Sequence, residues 1–486
     1  MSMEKHNVST TDISGCVRKV SPLERFFLWS PENNVSMITR ILGDIDEERL
    51  LNALDMVRHV HPLVGAKIVF DANHDAWFST DGVPEPNFKT IIRVSDKQWF
   101  EELQHEIQTP VNLETGPMIK FRLLYSEYVS DLIVICNHSI CDGMSLVYLT
   151  RDLLNFYVNP EQNVKVLNPP NIFDLLPKEN DFASPDSQRI NYVNAQWKKT
   201  PHYFDHNDFN ALQTAYWEKN QFGTVLLELD SPETKVLSKR CKDKGVTVGS
   251  SVTAAFIAAY EDVIGPFVGD KKQISIPFDL RRHATSPVDD IFCLCVGASR
   301  FPYNYNSKKS FWENALVLHN EIHERVKKLD WNGIAIPDFD PAFLDATSRF
   351  APLKEVIPEA YSRTENLKRF SEDTKNIAFL IAKKTDKKSQ PGVIPSNLGR
   401  INIPESYGDL QIDRMVFIPS GSYFVPLVLG GISICDKMVF SMNYPEPKNI
   451  GDSMTNEMIE IRNKALEYLG FSDAMSENTI NRAITY

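Results

Sequence analysis

Between Met118 and Tyr157 the chain reads strand, turn, strand, loop, helix, and this order constrains the fold more than any other stretch. Met118 to Tyr125 and Asp131 to Cys136 are apolar runs of strand length. The mostly polar Glu127 to Ser130 between them suits a turn. After Gly143, the residues Leu146, Leu149, Leu153 and Tyr157 recur at helical spacing, which predicts a helix to about Tyr157. The connecting loop is Asn137-His138-Ser139-Ile140-Cys141-Asp142-Gly143. Helical and extended segments alternate through the rest of the chain as well, so the expected class is α/β.

Ser21-Pro22-Leu23-Glu24 has the order of a helix start, with Ser21 as N-cap, Pro22 next and Glu24 reaching back. Asp46 to His59 reads as an amphipathic helix that ends before Pro62. Asn159 to Tyr216 is rich in Pro, Asn, Asp, Ser and Gln, the composition of a linker or long crossover. The expected division is a first half over 1–175, a linker over 176–215 and a second half over 216–486. In the second half, Thr224 to Asp230 and Ile274 to Pro277 read as strands. Ser231 to Lys244, Thr247 to Ile264, Phe311 to Leu329 and Asn456 to Tyr468 read as helices. Ile377 to Ile381 reads as a short strand, and Ser396-Asn397-Leu398-Gly399, Met415 to Pro419 and Gly431 to Tyr444 as further strands. Pro337 to Arg369 gives no clear element.

A chain of 486 residues, 42% apolar and 10% aromatic, can build more than one core. Its net charge of −12 argues against nucleic acid as a partner, because phosphate binding needs a basic footprint. The seven scattered cysteines include no C-x-x-C pair, which fits a reducing compartment. Met1 to Val20 has no apolar signal core, and no run of about 18 apolar residues occurs, so no transmembrane segment is expected. The expected setting is cytoplasmic.

A histidine in a loop after a buried strand suits proton transfer at neutral pH, provided that one tautomer is held. Asp142 could lock the loop by pairing with a distant arginine or by capping the helix, and Gly143 allows a turn or a close approach. The bland alternative is a structural histidine. Cys136 and Cys141 raise the possibility of a thiol nucleophile, but their apolar setting favours plain packing. Ser139 stands awkwardly for attack. His59 and His61, two apart beside Pro62, make a poor metal site. His319 and His323, four apart on a helix, have no clear third ligand, so no metal is expected. Lys383, Lys384, Lys387 and Lys388 read first as a solvated loop, and as a contact for coenzyme A phosphate or an acidic carrier protein second.

His138-Ser139-Ile140-Cys141-Asp142-Gly143 resembles the HxxxD(G) motif of the superfamily of chloramphenicol acetyltransferase. That superfamily includes polyketide-associated and alcohol acyltransferases, plant BAHD enzymes and the condensation domains of nonribosomal peptide synthetases. Further motifs follow in the family's order. Ser21 to Arg25 resembles the opening helix, His61-Pro62-Leu63 the HPxL element, Cys241 to Val248 the start of the second half, Asp279-Leu280-Arg281 the DLR strand end, and Ser396 to Gly399 the SNLG strand. The resemblance implies two chloramphenicol-acetyltransferase-like subdomains forming a V around a central tunnel. It implies acyl transfer from a thioester to a small alcohol or amine, with His138 as base and Asp142 in a structural ion pair. Arg281 is the expected partner of Asp142. Ser396 and Asn397, and beside His138 Asn137, are candidates to meet the substrate or the oxyanion. No resident cofactor is implied; acyl-CoA, or the phosphopantetheine of an acyl carrier protein, would be a co-substrate. Asn137 stands where condensation domains carry a first histidine, which favours O-acyl transfer. The DFGWG motif of BAHD enzymes is absent, and Gly408-Asp409-Leu410 is no substitute. The alternatives are a condensation-like enzyme with a carrier-bound donor, and a catalytically silent binding or scaffold member.

Overall fold

The computed structural model describes residues 13, 15–177, 187–288, 290–328, 339–384, 390–448 and 453–471. It is mixed α/β, built on two six-stranded sheets. In the first sheet the order is Ser406–Tyr407, Leu410–Ile418, Asn34–Leu42, Val129–Asn137, Ile119–Tyr125 and Asn87–Ile92. In the second it is Val296–Pro302, Gln273–Asp279, Val393–Arg400, Leu427–Ile434, Lys437–Pro447 and Asn220–Leu229. A three-stranded sheet of Cys16–Lys19, Ala76–Ser79 and Lys67–Phe70 is paired with neither but shares the core of the first.

The halves interleave. Leu410–Ile418 comes from the second half of the chain yet runs antiparallel to Asn34–Leu42, with Ile418 opposite Ser36. On its other edge Asn34–Leu42 pairs with Val129–Asn137, with Asn34 opposite Asn137. The strand that leads into the His138 loop lies between two first-half strands, and the sheet takes in the second-half strand one position further on, so a division at residue 216 does not separate two independent sheets.

Local sequence explains the helices that frame the loop. Ser21 caps Pro22–Leu28 in a reciprocal box: its hydroxyl accepts from Glu24 N–H, and Glu24 accepts from Ser21 N–H at 2.7 Å. Asp142 caps Gly143–Val158. That helix packs on Glu47–Val60, and its Leu146, Leu149 and Leu153 are buried, each contributing roughly 1.5–3 kcal/mol. Val248–Val263, capped by Thr247, is buried between Phe311–Lys328 and Ser453–Leu469 in a second core.

One expectation is corrected, and two stretches read without elements hold helices. Ile377–Lys384 is a helix, not a strand: Asn376 Oδ1 accepts from Ala378 N–H, and the Asn376 carbonyl accepts from Leu380 N–H. A five-residue apolar run has no period that separates the two states. The expected linker contains the helices Ser187–Trp197 and His206–Lys219, the second capped by Asp205. The uncertain stretch from Pro337 holds the short helices Pro341–Asp345, Ala351–Val356 and Glu365–Glu372, with a π-helical turn at Ala346–Phe350.

Candidate active site

A cavity of about 710 Å³ lies between the two sheets and is lined from both halves of the chain. His138, Asp142, Gly143, Arg281, Ser396 and Asn397 all border it.

His138 follows directly on the strand Val129–Asn137, and its backbone N–H donates to the Asn33 carbonyl at 2.9 Å. Its Nδ1 lies 2.7 Å from the Cys141 carbonyl oxygen. That oxygen can only accept, so Nδ1 carries the hydrogen and Nε2 holds the lone pair. Nε2, on the other edge of the ring, has no partner among the described residues. Phe27 covers one face, with ring centroids 4.3 Å apart. Burial holds the His138 pKa below its ordinary value, despite the opposing pull of the Cys141 carbonyl and of Asp142.

Asp142 both caps the helix and pairs with the arginine. Its Oδ1 accepts from Ser145 N–H at 2.8 Å, and its Oδ2 accepts from Arg281 Nη1 and Cys295 N–H, each at 2.8 Å. Arg281 then donates through Nη2 to the Cys293 carbonyl and to Ser145 Oγ, both at 3.0 Å. Burial alone would raise the Asp142 pKa, but the Arg281 guanidinium and these hydrogen bonds hold it below the usual carboxylate range. Gly143 is a close-packing position. A Cβ there would stand 2.7 Å from a Leu398 methyl and 2.8 Å from the Phe417 ring, both on the cavity wall.

Asn137, expected as a candidate to meet the substrate or the oxyanion, lies away from the cavity. It is buried, is not on the cavity wall, and its Oδ1 accepts from Ser139 N–H at 3.0 Å and Ser139 Oγ at 2.6 Å. It ties the loop, and the same bond turns the Ser139 hydroxyl toward Asn137. Burial pushes the Cys141 thiol well up, which disfavours a thiolate nucleophile. Asn397 Oδ1 accepts from Gly399 N–H at 2.9 Å, and Gly399 adopts φ +75°, so the strand bulges there. Asn397 Nδ2 has no partner among the described residues.

His61 is buried and structural. Its Nδ1 accepts from Phe292 N–H at 3.3 Å, so Nε2–H donates to Asp152 at 2.9 Å. His59 is exposed. Among the described residues no three His, Cys, Asp or Glu side chains gather as metal ligands. Lys383 is exposed on the helix Ile377–Lys384, whereas Lys387 and Lys388 lie outside the described residues. No helix among the described residues is long and apolar enough to cross a membrane.

Reading motifs did not find Ser145, Cys293, Cys295, Glu32 or Arg349. The first three act through hydroxyl or backbone groups, which leave little trace in residue type. Glu32 and Arg349 also border the cavity, but from segments with no motif and no clear periodicity.

A family model for the condensation domain matches residues 29–278. No curated protein matches the chain in sequence. Among solved structures, polyketide synthase associated protein 5 from Mycobacterium tuberculosis is 15% identical, with a TM-score of 0.57 over 94% of this chain and 99% of that one. Trichothecene 15-O-acetyltransferase from Fusarium sporotrichioides is 15% identical, with a TM-score of 0.58 over 92% of this chain and 95% of that one. The first condensation domain of the CDA synthetase is 14% identical, with a TM-score of 0.56 over 95% and 97% of the two chains. At such identities the likeness is one of fold, and it runs nearly end to end. With the family match over half the chain and the expected motifs in order along it, this protein belongs to the condensation-domain family.

Proposed function

We propose that the protein is an acyltransferase that moves an acyl group from a thioester to an alcohol or amine by direct transfer. The observation that carries this reading is the tautomer of His138: Nδ1–H is spent on the Cys141 carbonyl, so the basic Nε2 is left free in a cavity walled by both halves. Nε2 takes the acceptor proton as the acceptor oxygen or nitrogen bonds to the thioester carbonyl carbon. The resulting oxyanion needs donors, and the free Asn397 Nδ2 and the Ser396 hydroxyl are the candidates. On collapse the C–S bond breaks, and the departing sulfur takes the proton back from Nε2.

The donor in this reading is acyl-CoA, and O-acyl transfer is favoured because Asn137 replaces the first of two histidines and faces the loop. The setting is the cytoplasm, supported by seven cysteines that are all free. Family membership keeps a carrier-bound donor as the second reading. Thiol release from acyl-CoA in the presence of assorted alcohols and amines tests the first. Turnover of loaded carrier protein with acyl-CoA ignored would replace it with the second.

The acid limb of the pH profile gives a further test. General-base catalysis needs neutral His138, and burial lowers its pKa, so the neutral form persists to lower pH than in a free histidine. The kcat/KM value should rise through a limb centred below about 6.5 and stay flat at neutral pH. A limb centred above about 7 would assign the titration to another group.

A further inference from the structure

Arg349 sits on the π-helical turn Ala346–Phe350, just before Pro352. Proline has no N–H for the carbonyl a turn back, which favours a register change there. The turn brings Arg349 to the wall of the His138 cavity. Its guanidinium lies over the Phe26 ring, 4.2 Å from the centroid, and its Nε donates to the Phe26 carbonyl at 2.8 Å. Phe26 packs edge-on against Phe27, and Phe27 covers His138. Arg349 is therefore held in place two rings from the proposed base.

Its Nη1 and Nη2 have no acceptor among the described residues. Asp345, one turn earlier, is taken by Arg25, whose Nε and Nη2 reach it at 3.1 and 2.7 Å. Glu32 also borders the cavity, and its Oε2 is buried without a partner, but it forms no ion pair with Arg349. Burial disfavours the charged form of both groups, and the attraction between them, with that of Asp345 for Arg349, offsets this only in part. A guanidinium stacked on a ring with its outer edge free is the fork that a carboxylate fits.

We propose that Arg349 is a carboxylate-binding residue of the catalytic cavity, and that the substrate read there carries a carboxylate on its acyl chain or on its acceptor. This rests on the acyl-transfer reading for the name of the substrate, but its test does not need turnover. The full chain carrying His138→Ala is titrated calorimetrically with matched probes. The donor arm compares succinyl-CoA with butyryl-CoA. The acceptor arm compares 4-hydroxybenzoate with 4-hydroxybenzyl alcohol. In one arm the carboxylate probe should bind roughly ten- to a hundredfold tighter, as a charged hydrogen-bonded pair does. Adding Arg349→Met should abolish that preference. Adding Glu32→Gln, which removes a competing charge, should enlarge it. Equal binding in both arms overturns the proposal, as does a preference that survives Arg349→Met. If Arg349→Met does not fold, Glu32→Gln decides, and an unchanged or smaller preference counts against the proposal. A carboxylate preference in a chain whose His138 form releases no thiol would leave this inference standing and remove acyl transfer.

Discussion

Replacing His138 with alanine should cut kcat/KM for thiol release by about 10²–10⁴ while leaving the chain folded. The size follows from what the ring does in the proposed step. Without Nε2, the acceptor attacks with its proton still attached, or water must take it. The fold should survive because the ring's visible anchors are one hydrogen bond to the Cys141 carbonyl and one packed face against Phe27. Those are worth roughly 1 kcal/mol each, against the buried strands and helix on either side of the loop. The acid limb should vanish together with the rate. The measurement is free-thiol release from acyl-CoA with acceptor present, beside a thermal melt of the same sample. A variant that melts like the parent and releases thiol as fast would remove His138 as the base. It would also favour a binding or scaffold role for the cavity.

Much of the architecture can be read from the chain because short-range chemistry sets it. Ser21, Asp46 and Thr247 cap their helices through their own side chains. The two apolar runs around Ile119–Tyr125 and Val129–Asn137, split by a polar turn, mark two neighbouring strands. What escapes such reading depends on long-range pairing. Leu410–Ile418 is an apolar strand by its residues, but nothing in them says that it joins the sheet of the other half. Ile377–Lys384 shows the same limit at shorter range, since a few apolar residues fit either state until their partners are known.

The site divides in the same way. Motif residues led to His138, Asp142, Gly143, Arg281, Ser396 and Asn397, which do share one cavity. Asn137 was misplaced because a side chain at a strand end can turn to either side, and here the Ser139 hydroxyl captures it. Arg349 was passed over because its turn follows neither the period of a helix nor that of a strand. Its significance comes from the cavity it borders and from Phe26, which is 323 residues away along the chain.

The Asp142–Arg281 pair should be the most sensitive structural point near the site. Asp142→Asn keeps the shape but sets an amide where a carboxylate faced a guanidinium. Arg281, buried, would then keep only Asp279, 3.2 Å from the same Nη1, as its charge partner; breaking a buried pair costs about 3–5 kcal/mol, and Asp279 should bring the loss toward the lower end. The loss should be large here because the pair joins the two halves and both groups carry further hydrogen bonds. Asp142 also accepts from Ser145 and Cys295, and Arg281 also donates to the Cys293 carbonyl. Since the native Asp142 pKa is lowered, its contribution is present above the unfolded carboxylate pKa of about 3.9 and fades only as pH falls through the native value. At neutral pH the full cost should therefore appear in the denaturant midpoint. Arg281→Gln should cost a similar amount, and the double variant less than the sum, with a coupling of roughly 0.5–3 kcal/mol. Activity should fall in each variant because Asp142 is next to the Cys141 carbonyl that holds the His138 tautomer. Asp142 also raises the His138 pKa electrostatically, so in Asp142→Asn the acid limb should move to lower pH even as the rate falls. A purely structural loss would lower the rate and leave that limb in place. Single variants costing under about 1 kcal/mol, with additive effects, would show that the two halves are held together elsewhere.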